Sequence, residues 1–213
     1  MLVYAKRKGK PMFKGPFDPE NKFWSFMNKI TDLFFLAILW FLFSIPLVTI
    51  GASTVALFHF TLRQVDDTEG YAFRSFLQAF KKNFWQATAL WFLFLVCLVF
   101  FIADYHALFS YRFPSVIQVG LFSLVTALAL LSLILFCYVF PLISCFHVSV
   151  RKALGDALVM GVSNIGYTTV ILSVYCLSLW VSSRFPYLSI FFMALALFLD
   201  SYLYKKVFSR YLA

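Results

Sequence analysis

Charged residues are scarce in this sequence. Only 13% of its 213 residues are charged, and only nine are acidic. So little charge cannot cover the surface of a water-soluble domain, and the hydrophobic fraction of 62%, with 29 Phe, is far above the soluble range. Several runs of more than eighteen residues carry no charge at all. The composition therefore predicts an integral membrane protein of the all-α class, a polytopic helical bundle.

The chain also lacks the patterns that carry chemistry. There are no H-E-x-x-H, G-x-S-x-G or phosphate-binding glycine motifs, and no paired carboxylates at a fixed spacing. The four cysteines show no C-x-x-C spacing and lie inside apolar runs, which predicts small core residues and not a zinc site or a disulfide. We therefore expect a protein that is not an enzyme and that holds no metal or cofactor. The cysteines are Cys97, Cys137, Cys145 and Cys176.

The net charge of +9 comes from basic residues that flank the apolar runs. They do not form a polar stripe with interleaved aromatics, so the sequence predicts a lipid bilayer as partner and no nucleic acid. Residues 1–22 are basic and rich in Pro, without the apolar core of a signal peptide. We expect a basic cytoplasmic arm at 1–22 and a single transmembrane bundle at 23–213.

The first long apolar run, residues 33–62, has thirty residues without charge. As one helix it would extend about 45 Å, too long for an untilted crossing of ~30 Å of hydrocarbon. It forms either one tilted pass, giving five in all, or two antiparallel passes. Pro46 disfavours a helical conformation at Ile45 and so supplies a turn. The six predicted passes are 23–45, 46–65, 84–104, 114–140, 164–183 and 185–204.

The distribution of Lys and Arg favours six passes. That topology places 16 of them on the cytoplasmic side and two outside, whereas a single crossing by residues 33–62 gives nine on each side. We therefore predict a multi-pass protein of the cell membrane with both termini cytoplasmic. The run at 113–150 is too long for one pass, and we expect the part beyond Pro141 to project or to bend along the membrane surface.

A basic amphipathic helix is predicted at 70–83. Its apolar residues follow the spacing of one helix face, and its basic residues take the opposite side. Such a helix either lies on acidic lipid or docks on another protein. The candidate interface residues are Phe73, Arg74, Phe76, Leu77, Phe80, Lys81, Lys82 and Asn83.

Three further groups of residues are candidates for structure or function. Gly51 and Ser53 belong to a small-residue patch that permits close helix packing. Pro46 and Pro141 are predicted turn or kink positions. Ionisable residues at membrane depth are functional candidates by default. His59 and Asp200 are two of these. His59 is also explained as a helix-end residue, and Asp200 by its position one turn before Tyr204 and close to Lys205.

Several segments closely resemble the YesL family of bacterial membrane proteins. They are F-D-P-E-N-K-F-W at 17–24, I-P-L-V-T-I-G-A-S-T at 45–54, E-G-Y at 69–71, F-R-S-F at 73–76 and A-F-K-K-N-F at 79–84. The resemblance is specific over 17–88 and diffuse beyond.

That family is of unassigned function, and its members tend to be encoded beside carbohydrate ABC importers in Gram-positive bacteria. The resemblance therefore implies an accessory or regulatory membrane subunit associated with a carbohydrate (oligosaccharide) ABC importer, with its permease subunits as partners. The alternatives are a stand-alone small-molecule transporter and a membrane-embedded structural or assembly factor.

Overall fold

The described part of the chain is built from helices. The structure is a computed structural model that describes residues 22–66, 68, 70–110, 114–146 and 148–211, so the predicted basic arm lies outside the described residues except for Lys22. The α-helices are α1 (Lys22–Ser44), α2 (Ile50–Gln64), α3 (Ala72–Ser110), α4 (Ser115–Cys145), α5 (Val150–Ser163), α6 (Ile165–Arg184) and α7 (Ser189–Phe208), and short 3-10 helices at Leu47–Thr49 and Pro186–Leu188 precede α2 and α7.

Helices α1 and α2 form an antiparallel hairpin. Lys29 Nζ donates to the Gln64 carbonyl at 3.1 Å, far from the turn. Near the turn, the hydroxyls of Ser44 and Ser53 lie 2.6 Å apart. Pro46 has an extended backbone (φ −74°, ψ 112°), so the helix cannot run through this position. Residues 33–62 therefore do not form one continuous helix.

Helix α2 is the interior element of the bundle. It contacts α1, α3, α4 and α7, and eleven of its 15 residues are buried. A helix that is buried on all sides belongs to the core. At ~1.5 Å per residue it is about 22 Å long, shorter than the ~30 Å hydrocarbon layer. It nevertheless returns the chain to the end of the bundle where α1 begins.

Helix α3 joins two elements that the sequence predicts as separate. The amphipathic segment 70–83 and the pass 84–104 form one helix of 39 residues, from Ala72 to Ser110. Its sequence contains neither Gly nor Pro, so nothing interrupts the backbone hydrogen bonding. The amphipathic segment is therefore the first part of a membrane helix and not a separate helix on the membrane surface.

Helix α4 contains Pro141 and ends four residues later at Cys145. The chain then reverses, and α5 packs back along α4. A Cβ atom on Gly161 of α5 would collide with Ile134 Cγ2 of α4, which shows how closely the two helices approach. The expected projection beyond Pro141 is thus replaced by a second helix that folds against the first.

The two described chain ends lie at the same end of the bundle. Lys205 in the last turns of α7 forms an ion pair with Asp66, just after α2. Asn164, between α5 and α6, donates to the Tyr211 hydroxyl at 3.0 Å. We call this the basic end, because the lysines and arginines of the described residues all lie there except Arg184.

Five described helices are long and apolar enough to cross a membrane: α1, α3, α4, α6 and α7. Their outer surfaces are apolar as well. In α3, for example, the exposed side chains include Phe92, Val99 and Phe100. Exposed apolar surface of this extent matches the hydrocarbon of a bilayer.

Candidate functional site: a basic cleft at one end of the bundle

A polar cleft of about 410 Å³ opens at the basic end between α2, α3 and α4. Most of its lining side chains are polar or basic, in contrast to the apolar surfaces elsewhere. We call it the basic cleft. Its described lining residues are His59, Arg63, Gln78, Ala79, Lys82, Asn83, Ser144 and Cys145.

The α2 wall carries His59 and Arg63. These residues are four positions apart, so they lie on the same face of the helix, one turn from each other. His59 Nδ1 is 2.9 Å from the Ser144 carbonyl oxygen at the end of α4. In the tautomer that donates from Nδ1, this bond fixes the ring orientation. Arg63 is exposed to solvent.

The α3 wall carries Gln78, Lys82 and Asn83. Gln78 and Lys82 are exposed and stand one turn apart on the same face. Asn83 is only 6% exposed, and its side-chain amide donates to the Ala79 carbonyl at 3.2 Å. The hydrogen bond to the preceding turn lets a polar side chain lie inside the helix interface without an unsatisfied donor.

The α4 wall is held by Ser144. Its hydroxyl donates to the Pro141 carbonyl at 2.6 Å. Proline lacks the backbone N–H that would normally donate to residue 137 one turn earlier. That carbonyl instead accepts from the Tyr204 hydroxyl at 2.8 Å. Pro141 is therefore accommodated within α4 by contacts with α7 and with its own last turn.

The predicted interface residues divide into three groups. Phe76 is completely buried, and its ring packs edge-on against Phe43 of α1, as does the ring of Phe80. Lys82 and Asn83 line the basic cleft. The remaining four, Phe73, Arg74, Leu77 and Lys81, lie on the outward side of α3.

The packing of Phe76, which is buried, and of Phe80, which is half-buried, corrects the expected surface. The apolar side of the amphipathic segment was expected to face lipid or a partner, but it packs against α1 of the same chain. A periodic apolar stripe looks identical in both cases, because periodicity identifies a buried face and not what buries it.

The predicted packing positions lie in helix contacts. A Cβ atom on Gly51 would lie 2.6 Å from the Ala87 carbonyl oxygen and 2.6 Å from Trp91 Cβ. Ser53 is buried and shares a hydrogen bond with Ser44 across the hairpin. The Pro46 carbonyl accepts from the Thr49 amide at 2.9 Å, which closes the turn.

The pairing of His59 with Ser144 is not evident from the sequence, in which His59 reads as a helix-end residue. The partners are 85 positions apart, so no local pattern indicates the contact. The i, i+4 spacing of His59 and Arg63 at the end of an apolar helix was the available signal.

Asp200 is a second polar feature, inside the bundle. It is 0% exposed, and neither carboxylate oxygen has a hydrogen-bond partner among the described residues. The next residue, Ser201, shares a hydrogen bond of 2.7 Å with Thr61 of α2. A buried carboxylate in a membrane helix is costly and is a functional candidate.

No group of three or more His, Cys, Asp or Glu side chains in the described residues could hold a metal ion. None of the four cysteines is in a disulfide.

Together these features define an all-α, polytopic membrane protein with a basic cleft at one end. Residues 33–105 match the model of a family described as "Protein of unknown function, DUF624". The match begins midway along α1, covers all of α2 and extends through most of α3, and so includes two of the three walls of the cleft. No curated protein and no solved structure matches the chain.

Proposed function

We propose that the protein is an accessory or regulatory membrane subunit associated with a carbohydrate (oligosaccharide) ABC importer. It contacts the permease subunits through the outward side of the first turns of α3. We call the exposed residues Phe73, Arg74 and Lys81 the docking ridge. The observation that carries the proposal is the exposure of this ridge. The large aromatic side chain of Phe73 is 51% exposed and lies beside the basic residues Arg74 and Lys81 on the same helix.

The geometry of the ridge favours a protein partner over simple lipid anchoring. A helix that anchors to a membrane surface buries its apolar face among the lipids. Here Phe76 and Phe80, which would form that face, pack against Phe43 inside the bundle. What remains outside combines Phe with Arg, a pairing that is enriched in protein interfaces. Its positive charge suits an acidic partner surface.

The position of the ridge also helps binding. It belongs to a helix that continues into the membrane, so a permease in the same bilayer is already nearby. Such tethering raises the effective concentration of the two partners, and a small contact can then hold a complex. Because basic residues concentrate on the cytoplasmic side of membrane proteins, we place the basic end in the cytoplasm.

The choice of a carbohydrate importer rests on the resemblance to the YesL family. The segments that carry it include the hairpin turn at 45–54 and the segments 73–76 and 79–84, which contain the docking ridge. The resemblance implies genes for carbohydrate ABC importers as neighbours. The permease is therefore the first partner to test.

The test is a pull-down from native membranes in mild detergent, with mass spectrometry of the recovered proteins. The ridge variant combines Phe73→Ser, Arg74→Gln and Lys81→Gln. The control variant combines Val159→Ser, Arg151→Gln and Lys152→Gln, which removes one exposed apolar and two exposed basic side chains from α5. Neither variant alters the buried core.

We expect importer permeases with the wild-type chain and the control, and their loss with the ridge variant. If no permease is recovered with the wild-type chain after cross-linking in the membrane, the importer proposal is wrong. If the control variant loses the permease and the ridge variant keeps it, the contact lies on α5 and the ridge is the wrong surface.

A stand-alone small-molecule transporter is the second candidate, and Asp200 favours it. A buried carboxylate within a membrane bundle is a common element of ion-coupled transport. Purified protein in liposomes that moves a sugar or an ion without other subunits, and loses this activity on Asp200→Asn, would support the transporter over the accessory subunit.

A further inference from the structure

A second cavity lies between α4 and α6, within the membrane-spanning part of the bundle. It has a volume of about 410 Å³, and its lining surface is almost entirely apolar. Near the basic end, the hydroxyls of Tyr138 in α4 and Thr168 in α6 lie 2.9 Å apart. Beyond this hydrogen bond the two helices make few direct contacts, and the cavity fills the gap between them. We call it the lateral cavity.

The lateral cavity has a buried floor and an exposed rim. Phe58, Phe136 and Leu197 line it from inside the bundle, and each is at most 6% exposed. Leu133 of α4 and Leu179 of α6 line it as well, but they are 41% and 59% exposed. Because the floor belongs to the core and the rim to the outer surface, the cavity opens sideways, toward the hydrocarbon of the bilayer.

The hydroxyl and indole groups of the lining are already paired within the protein. The Trp40 indole donates to the Thr54 hydroxyl at 3.2 Å, and the Trp91 indole donates to a backbone carbonyl of the hairpin turn at 2.8 Å. The Tyr175 hydroxyl is hydrogen-bonded to that of Tyr204. A sugar in this cavity would have to bury its own hydroxyls without partners, which is costly. The lateral cavity therefore suits an apolar ligand.

Neither a void nor water fills such a cavity well. Protein interiors contain few voids larger than a water molecule, and a void forfeits the dispersion contacts of its walls. A buried water needs roughly two to four polar partners, and the polar groups of these walls bond to each other instead. Lipid hydrocarbon, in contrast, reaches the open side directly. We infer that the lateral cavity is a binding site for one acyl chain of a membrane lipid.

The end of α6 indicates which leaflet supplies the lipid. Trp180 is 60% exposed, and the guanidinium of Arg184, one turn later, lies 5.8 Å from the centre of its ring. Exposed Trp and Arg side chains at a helix end are typical of the membrane interface. Leu179 on the rim precedes Arg184 by five positions, about 7–8 Å along the helix at ~1.5 Å per residue. A lipid of the leaflet opposite the basic end can therefore keep its headgroup at the interface and place a chain in the cavity.

This inference goes beyond the docking function and does not depend on it. Phe73, Arg74 and Lys81 of the docking ridge are not among the described residues that line the lateral cavity. A ridge variant can therefore lose its partner and still bind the acyl chain, and a cavity variant can do the reverse.

The first test measures tryptophan fluorescence of the full chain in nanodiscs. Phosphatidylcholine with bromine atoms in its acyl chains is compared with the unbrominated lipid, because bromine quenches a tryptophan that it contacts. Trp40 and Trp91 line the cavity, so a reporter chain keeps these two and replaces the other three. The replacements are Trp24→Phe, Trp85→Phe and Trp180→Phe.

The filled variant adds Cys176→Phe to the reporter chain, which places a ring on the cavity wall. The control adds Leu177→Phe at the next position, which is 60% exposed and is not among the described lining residues. We expect brominated chains to quench the reporter and the control. The filled variant should lose most of this quenching, because the ring takes the space of the acyl chain.

Equal quenching of the filled variant and the control overturns the inference. Leu179→Phe, a second filling substitution on the rim, is measured as well, so that a folding defect of Cys176→Phe does not decide the result.

The second test identifies the occupant by native mass spectrometry of the chain with its five tryptophans, released from unbrominated nanodiscs. We expect one retained lipid on the wild-type chain and on Leu177→Phe, and its loss on Cys176→Phe. A wild-type monomer without lipid overturns the inference. A lipid-free dimer that Cys176→Phe dissociates also overturns it, because a second copy of the chain would then cover the cavity.

Discussion

Gly51 of α2 approaches Ala87 of α3 so closely that a Cβ atom on Gly51 would lie 2.6 Å from the Ala87 carbonyl oxygen. The same atom would lie 2.6 Å from Trp91 Cβ. Both neighbours are backbone or the first side-chain atom, so no rotamer change can make room. Small residues at such contacts let membrane helices pack backbone against backbone.

Gly51→Ala should therefore destabilise the bundle, because α2 and α3 would have to separate. We expect a loss of about 1–3 kcal/mol, the usual range for overpacking. Gly155→Ala in α5 is the matched control, since a Cβ atom there meets nothing within 4 Å. Its better helix propensity should stabilise the protein by roughly 0.5–1 kcal/mol. Thermal unfolding in detergent measures the stability change of both variants. Equal effects of the two substitutions would contradict the close contact between Gly51 and α3.

Phe76 and Phe73 should respond differently to substitution, although both belong to the apolar side of the sequence pattern. Phe76 is 0% exposed, and Phe76→Ala should cost about 3–5 kcal/mol through the cavity it leaves. Phe73→Ala should change stability by no more than about 0.5 kcal/mol, as expected for a surface position. Size-exclusion chromatography and thermal unfolding provide the measurement. A stable, monodisperse Phe76→Ala protein would show that the side of α3 carrying Phe76 does not belong to the hydrophobic core.

Replacing the buried carboxylate should stabilise the protein. Asp200→Asn keeps the shape of the side chain and removes the cost of burying an ionisable group whose oxygens have no hydrogen-bond partner among the described residues. We expect the unfolding temperature in detergent at neutral pH to rise by about 2–4 °C, which corresponds to ~1 kcal/mol for a chain of this size.

Asp156→Asn serves as the control for this substitution. Asp156 is half-buried on α5, so its replacement should leave the unfolding temperature nearly unchanged. A marked decrease on Asp200→Asn would show that the carboxylate contributes to the fold through an interaction that the amide cannot replace.

The orientation in the membrane can be measured by cysteine labelling in intact cells. In a background without the four native cysteines, Leu47→Cys and Tyr187→Cys place exposed thiols at the end opposite the basic end. We expect a membrane-impermeant maleimide to label both from outside. Gly70→Cys and Arg151→Cys should react only after permeabilisation, since basic ends face the cytoplasm. Labelling of position 70 in intact cells would show that the basic end faces outward, contrary to the predicted topology.

Much of the fold follows from local sequence features. The turn at Pro46 was predicted because proline restricts the residue before it, and the structure has its break there. The all-α membrane class follows from long apolar runs, and five described helices meet that description. These predictions succeed because they depend on the chain's own backbone and on the bilayer as a solvent, and not on distant partners.

The arrangement of the candidate site is harder to predict from the sequence than the fold. Lys82 and Asn83 were predicted as interface residues, and the structure places them in the cleft beside His59 and Ser144. The sequence contains each of these residues, but nothing in its spacing indicates that the end of α4 meets α2. Such a contact between residues 85 positions apart depends on how whole helices pack.

The sequence by itself determined that this chain is a membrane protein and that its first turn lies at Pro46. It also determined that the basic residues lie beyond the ends of the apolar runs. Composition, period and charge are properties of each segment, and the bilayer acts on each segment separately. Only the tertiary structure decided that Phe76 is core while Phe73 is surface, and that Arg63 and Lys82 share one cleft. The physical reason is that burial and electrostatic environment depend on the neighbouring helices, and those neighbours are chosen by packing across the whole bundle.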